Sequence, residues 1–153
     1  MIKEGLKFKF HFNYVYLLSS NFNMIFRRIN DLNGFEYAPL PQLSNLTQLN
    51  NLILRNCNIS GTLPENLKTM KSLKILDLSF NNLSGTIPRT YADMNSVKYI
   101  FLTGNLLTGS VPAWEKNVSV DLSYNNFSIS QGSQICQDEN VNLFSTSWAR
   151  NGT

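Results

Sequence analysis

A twelve-residue phrase recurs in this chain at a fixed interval. It reads ILRNCNISGTLP from Ile53 to Pro64, DLSFNNLSGTIP from Asp77 to Pro88, and FLTGNLLTGSVP from Phe101 to Pro112. The apolar positions around it move in step. Leu49, Leu52, Leu54, Ile59, Leu63 and Leu67 return as Leu73, Leu76, Leu78, Leu83, Ile87 and Tyr91, then as Val97, Ile100, Leu102, Leu107 and Val111. A constant period of roughly 20–50 residues means that each copy is one structural unit that cannot bury its own apolar face, so neighbouring copies must stack.

The pattern is that of the leucine-rich repeat, LxxLxLxxN/CxL, and each position has a physical role. The LxL core is a short strand whose two leucines point inward, while the residues between and beside them face out. Asn81, Asn105 and Asn125 are expected to turn in and hydrogen-bond backbone groups where the chain bends, coil upon coil. Cys57 holds the same position in the first copy, and its reading there is a small buried residue and a weak donor. The predicted fold is an α/β solenoid with a short parallel β-sheet on its concave face and loops and 3-10 turns on its convex face.

The copies are unequal. Full repeats cover 46–69, 70–93 and 94–117. A partial one, 118–130, starts early: Val120, Leu122 and Asn125 follow Ile100, Leu102 and Asn105 at an interval four short of the period. Trp114 stands just before it and reads as filler at that shortened turn. A degenerate copy occupies 27–45, with Ile29, Leu32, Leu40, Pro41 and Leu43 one position out of register and Arg27 or Arg28 where an apolar residue should begin the strand. Residues 131–153 contain no repeat and no clear cap.

Residues 1–26 follow a different rule. KFKFHFNYVY alternates, with Phe8, Phe10, Phe12, Tyr14 and Tyr16 on one face, a strand pattern, and the alternative for this segment is poor order. Lys3, Lys7 and Lys9 ahead of VYLLSS outline a secretory leader, but His11 and Asn13 interrupt it, so a leader is not convincing here. The net charge of +3 is concentrated in this segment. No basic stripe remains to follow a phosphate backbone, so nucleic-acid binding lacks support. No apolar run reaches the ~18–20 residues of a membrane span.

INDLNGFEYAPLPQLSNLTQLNNLILRNCNISGTLPENLKTMKSLKILDLSFNNLSGTIP resembles the ectodomain of plant receptor-like serine/threonine kinases that carry a malectin-like domain after their repeats, and VSVDLSYNNFS and CQDENVNLF resemble the join between those two parts. The resemblance spans roughly residues 29–148 and implies the C-terminal part of the repeat array. It implies a fragment of a receptor, placed at the extracellular face of the plasma membrane. The implied partners are a protein or peptide ligand, a co-receptor, or the malectin-like domain. Cys136 falls where the family enters a further cysteine-containing segment.

The chain itself reads as non-catalytic and free of cofactors. It lacks a glycine-rich loop, an HRD or a DFG motif, a phosphate loop, a metal-ligand cluster and a nucleophile elbow, and its single histidine, His11, lies far from Cys57. The leading expectation is a recognition or scaffold module. The alternative is a small secreted repeat protein that binds or inhibits another protein. Its binding residues are expected on the concave face, where the sequence departs from the common LDLS phrase: Arg55, Phe80, Tyr99, Phe101 and Tyr124. Ser79, Thr103 and Ser123 are expected to face outward with Arg55. Six N-x-S/T sequons, at Asn45, Asn58, Asn82, Asn117, Asn126 and Asn151, are candidate glycosylation sites in a secreted chain.

Overall fold

The computed structural model describes residues 7–10, 13–16, 23–27, 37–40, 43, 46–114, 117–127 and 141–142. Strands β1 (Lys7–Phe10) and β2 (Asn13–Tyr16) form an antiparallel hairpin, with Lys7 opposite Tyr16 and Phe10 opposite Asn13. The alternation in this stretch predicts one strand, and the structure has two. A single strand has no ladder partner of its own, and doubling back supplies one.

The repeat becomes a parallel sheet. Strands β5 (Asn51–Arg55), β7 (Ile75–Asp77), β9 (Tyr99–Phe101) and β11 (Ser119–Asp121) lie side by side. Asn51 pairs with Ile75, Ile75 with Tyr99, and Tyr99 with Ser119. The spacing of the copies in the sequence is thus the register of the sheet. Two strands extend this sheet beyond what the periodicity predicts. Strand β3 (Asn23–Arg27) pairs with β5 and sets Met24 beside Leu52 and Phe26 beside Leu54. The first coil's strand therefore begins at Asn23, inside the segment assigned to no repeat, and Arg27 ends that strand instead of opening it. At the other edge, β12 (Val141–Asn142) pairs with β11, so residues 131–153 contribute a strand.

The repeat pattern does not foretell the second parallel sheet. It comprises β4 (Ala38–Pro39), β6 (Ile59–Thr62), β8 (Asn82–Thr86) and β10 (Leu106–Thr108). Its register pairs Ser60 with Asn82 and Ser84 with Leu106, two positions short of the repeat period. Stacking extended segments at strand spacing lets their backbone groups pair. The sheet also explains the Gly-Thr pair of the phrase. A Cβ on Gly109 would sit 2.7 Å from Cγ2 of Thr86, so only glycine admits the threonine of the preceding coil.

Among the described residues the inward side chains form one continuous cluster from Leu40 to Leu122, including leucines read from the pattern. Leu46 and Val111 pack against it half-buried. Short 3-10 turns, Glu65–Thr69 and Arg89–Tyr91, follow Pro64 and Pro88, whose carbonyls accept the N–H groups of Leu67 and Tyr91. Among the described residues no such turn follows Pro112. There the chain is shorter than in the other copies, and Trp114 is buried.

The asparagines interlock the coils. Nδ2 of Asn81 donates to the carbonyls of Leu54 and Leu78, both at 2.8 Å, while its Oδ1 accepts from the N–H of Cys57 at 2.9 Å and of Ile59 at 3.1 Å. Asn105 donates to Leu78 and Leu102 and accepts from Leu83. Asn125 donates to Leu102 and Leu122 and accepts from Leu107. Each amide thus ties its own turn to the preceding one. Cys57 donates through its thiol to the Arg55 carbonyl at 3.3 Å, and it is half-buried rather than buried.

Tyr91 stands where the first copy has Leu67 and is fully buried. Its hydroxyl donates to the Pro64 carbonyl of the preceding coil at 3.1 Å. Burial pushes its pKa above the ordinary tyrosine value. In the unfolded chain this phenol ionises near pH ~10, whereas in the native state it keeps its proton longer. The unfolded state therefore binds fewer protons above that pH, and stability falls as pH rises through it. Tyr91→Phe is expected to lose about 1 kcal/mol at neutral pH through the lost hydrogen bond, and to lose less than the parent between neutral pH and pH ~11. Denaturant melts of both proteins across that range test this. Equal alkaline slopes would show that another group governs the effect.

Candidate functional site

The concave sheet is built so that alternate residues leave the core. Leu52, Leu54, Leu76, Leu78, Ile100 and Leu102 are buried, and the residues between them, Ile53, Asp77, Phe101 and Asp121, are half-buried. Tyr99 is 46% exposed, Phe80 44% and Tyr124 54%, and Arg55 is exposed as well. Four of the five predicted binding residues are therefore open to solvent. Phe101 is half-covered because its ring stacks on that of Tyr99, with centroids 6.3 Å apart and planes 9° from parallel.

The column just beyond the core strand differs from expectation. Ser79, Thr103 and Ser123 are buried, not outward. Thr103 donates through its hydroxyl to the Asp121 carbonyl of the next coil at 3.4 Å, and for the two serines the reason lies in LDLS. The N–H and hydroxyl of Ser79 both donate to Oδ1 of Asp77, and those of Ser123 to Oδ1 of Asp121, at 3.0 Å for each N–H. This clasp folds the hydroxyl under the chain and occupies one oxygen of the carboxylate. The first copy has Ile53 and Arg55 instead, with neither a clasp nor a short hydroxyl to tuck in, and Arg55 is the member of its column that stands out.

The next column turns sharply. Asn56, Phe80, Gly104 and Tyr124 all have positive φ, between 54° and 68°. Main-chain bonds hold the turn: the N–H of Asn56, Phe80 and Gly104 donates to the carbonyl of Ser79, Thr103 and Ser123 in the following coil. Asn and Gly tolerate this region, but bulky aromatics there are outliers that cost on the order of 1–2 kcal/mol each. Phe80 and Tyr124 are thus held strained and exposed at once, by a turn that all four coils share. Phe80 lies against Gly104, where an added Cβ would come within 2.8 Å of Cδ1 of its ring. Cζ of Arg55 sits over the Phe80 ring, 4.5 Å from its centroid. The outcome is an aromatic strip crossing three coils with a cation at one end. The aromatics and the arginine are legible in the sequence. Gly104 as the seat of Phe80 is not, because that contact joins one coil to the next.

The remaining candidates are dispersed. Asn117 and Asn126 are exposed, Asn58 and Asn82 are half-buried, and Asn45 and Asn151 lie outside the described residues, as does Cys136. An open cleft between residues 92–98 and 117–118 has, among the described residues, Lys98 as its only ionisable lining side chain, and the Ser96 hydroxyl there is tied to the Lys71 carbonyl. Asp77 and Asp121 are each engaged by their own serine. Among the described residues no three His, Cys, Asp or Glu side chains gather as metal ligands, and no helix is long and apolar enough to cross a membrane.

Residues 47–107 match the family model described as Leucine rich repeat. Two probable LRR receptor-like serine/threonine-protein kinases of Arabidopsis thaliana are similar to the chain. One is 42% identical over 119 residues, covering 76% of this chain and 11% of the kinase. The other is 46% identical over 59 residues, covering 39% and 6%. The chain therefore spans about a tenth or less of the length of these relatives, and the likeness lies in their repeat region. Three solved structures share the fold. A TDR receptor is 30% identical with a TM-score of 0.61, over 71% of this chain and 20% of that one. The LRR ectodomain of the Arabidopsis thaliana receptor kinase SOBIR1 is 27% identical with a TM-score of 0.59, over 67% and 60%. The plant peptide hormone receptor RGFR1, solved in complex with RGF2, is 29% identical with a TM-score of 0.53, over 66% and 17%. The chain is a leucine-rich-repeat solenoid whose coils are homologous to those of plant LRR receptor-like kinases.

Proposed function

We propose that this chain is a non-catalytic recognition module, part of the ectodomain of a plant receptor-like kinase that acts at the outer face of the plasma membrane. Its concave face binds a protein or peptide partner. The observation that carries this reading is the strip of Arg55, Phe80, Tyr99, Phe101 and Tyr124, which leaves three large aromatics about half exposed on adjoining coils. Exposed apolar clusters of this kind mark interaction sites, and aromatic and arginine residues dominate binding energy where they are found. RGFR1, similar in fold, is a plant peptide hormone receptor, which favours a peptide among the partners.

Tyr99 and Phe101 are the stacked pair at the strip's centre, so their loss should be felt most. A binder recovered from the extracellular fluid of the source tissue is expected to bind a Tyr99→Ala, Phe101→Ala double variant at least tenfold more weakly. That loss corresponds to ~1.4 kcal/mol or more. Unchanged affinity in a variant that melts like the parent would remove the concave face from the reading.

A further inference from the structure

The concave sheet carries, at one end, a concentration of arginine that the repeat does not require. In the register of β3 with β5, Arg27 pairs with Arg55, which puts two arginines at one rank of the sheet. The next residues in the column of Arg55 are Ser79, Thr103 and Ser123, all buried, so the arginines are confined to this end. Among the described residues no carboxylate forms an ion pair with Arg55. The nearest aspartate along the sheet, Asp77, accepts from the N–H and hydroxyl of Ser79.

Arg55 is nonetheless positioned. Its Cζ lies over the Phe80 ring, and Phe80 is fixed by its seat on Gly104 and by its own backbone turn at φ 57°. A guanidinium laid on an aromatic face has its orientation restricted, while its fork of N–H donors stays available to pair in its own plane. That fork matches a carboxylate, and two oxygens can accept from it at once. An arginine held in place without a described carboxylate, with a second arginine at the same rank, has the makings of an anion site.

We propose that the β3–β5 end of the concave sheet is a carboxylate subsite, in which Arg55 on its Phe80 platform receives an aspartate or glutamate side chain of an extended acidic peptide. The proposal rests on the reading of the concave face as a binding surface. The aromatic strip takes the apolar part of the peptide, and the arginine end sets which way it lies. Electrostatic complementarity of this kind chiefly governs direction and selectivity.

The test is a selection of random twelve-residue peptides, C-terminally amidated so that side chains supply every carboxylate, on the immobilised full chain. Asp and Glu are expected to be enriched, and Arg55→Gln is expected to weaken the selected peptides about tenfold or more and to abolish their acidic enrichment in a repeat selection. Phe80→Leu should weaken them as well, since it removes the platform while keeping the charge. Both positions are exposed, and melting curves matching the parent's will show that each variant folds. Peptides without acidic enrichment, or acidic peptides held within twofold by Arg55→Gln, overturn the carboxylate subsite. If those peptides still depend on Tyr99 and Phe101, the concave-face reading survives alone. If no peptide is enriched, or none depends on either pair of residues, both readings fall.

Discussion

Asn105→Ala is expected to destabilise the solenoid by about 3–4 kcal/mol. The side chain is 5% exposed and ties the backbone of its own coil to that of the coil before it. Its removal leaves the Leu83 N–H without an acceptor, because Oδ1 of Asn105 is the atom that receives it at 3.0 Å. An orphaned buried donor costs about 1–3 kcal/mol by itself. The carbonyls of Leu78 and Leu102 each lose one of two amide donors but keep the other, from Asn81 and Asn125. Those losses add roughly 1 kcal/mol together, and the vacated space adds the rest. Guanidinium unfolding measures it directly, and an unchanged m-value will show that the native state kept its compactness. A loss below ~1 kcal/mol would mean that water reaches the ladder and the coils are looser than their geometry implies.

Trp114→Ala should cost a similar amount, about 3–5 kcal/mol, while Trp114→Phe should cost less than ~1 kcal/mol. The contrast follows from two facts. The indole is buried in the continuous core, at the place where the fourth coil arrives early. Its Nε1, however, is buried without a hydrogen-bond partner among the described residues. Filling the space is therefore the whole contribution, and the indole N–H detracts from it. Phenylalanine keeps most of the volume and removes the orphaned donor, whereas alanine leaves a cavity. Thermal melts of the three proteins will separate these cases. Equal losses for Phe and Ala would show that the indole nitrogen has a partner of its own.

Other effects are graded by how the coils share residues. The clasp of Asp77 with Ser79 recurs as Asp121 with Ser123, so LDLS is a fold element in both coils that carry its Asp and Ser. The departures from it, Arg55 and Phe101, are the positions at which the surface becomes particular to this chain. Both belong to the strip proposed to bind a partner.

Legibility in the sequence divides along a physical line. The repeat period was sufficient for the register of the central strands, because like coils stacked in parallel must place equivalent residues side by side, as Leu52 beside Leu76 and Leu76 beside Ile100. The leucine pattern identified the buried cluster, since a strand's alternation leaves only one face for the core. The asparagine positions identified the ladder, because the bend leaves backbone groups that a short amide can reach. These are local rules repeated, so one coil predicts the next.

What only the tertiary structure decided is each contact made between unlike coils. The second sheet sets Ser60 against Asn82 rather than against Ser84, its equivalent in the next copy, and no periodicity announces that stagger. Phe80 and Tyr124 adopt a left-handed backbone that their residue types disfavour. For Phe80 the neighbouring coil holds the N–H and Gly104 gives the ring its seat. Strand β3 joins the sheet with Met24 and Phe26 at the ranks of Leu52 and Leu54, in a segment with no repeat phrase, and brings Arg27 to the rank of Arg55. A repeat specifies the average coil. The particular surface arises where one coil differs from its neighbour, and that difference acquires meaning only once the two are stacked.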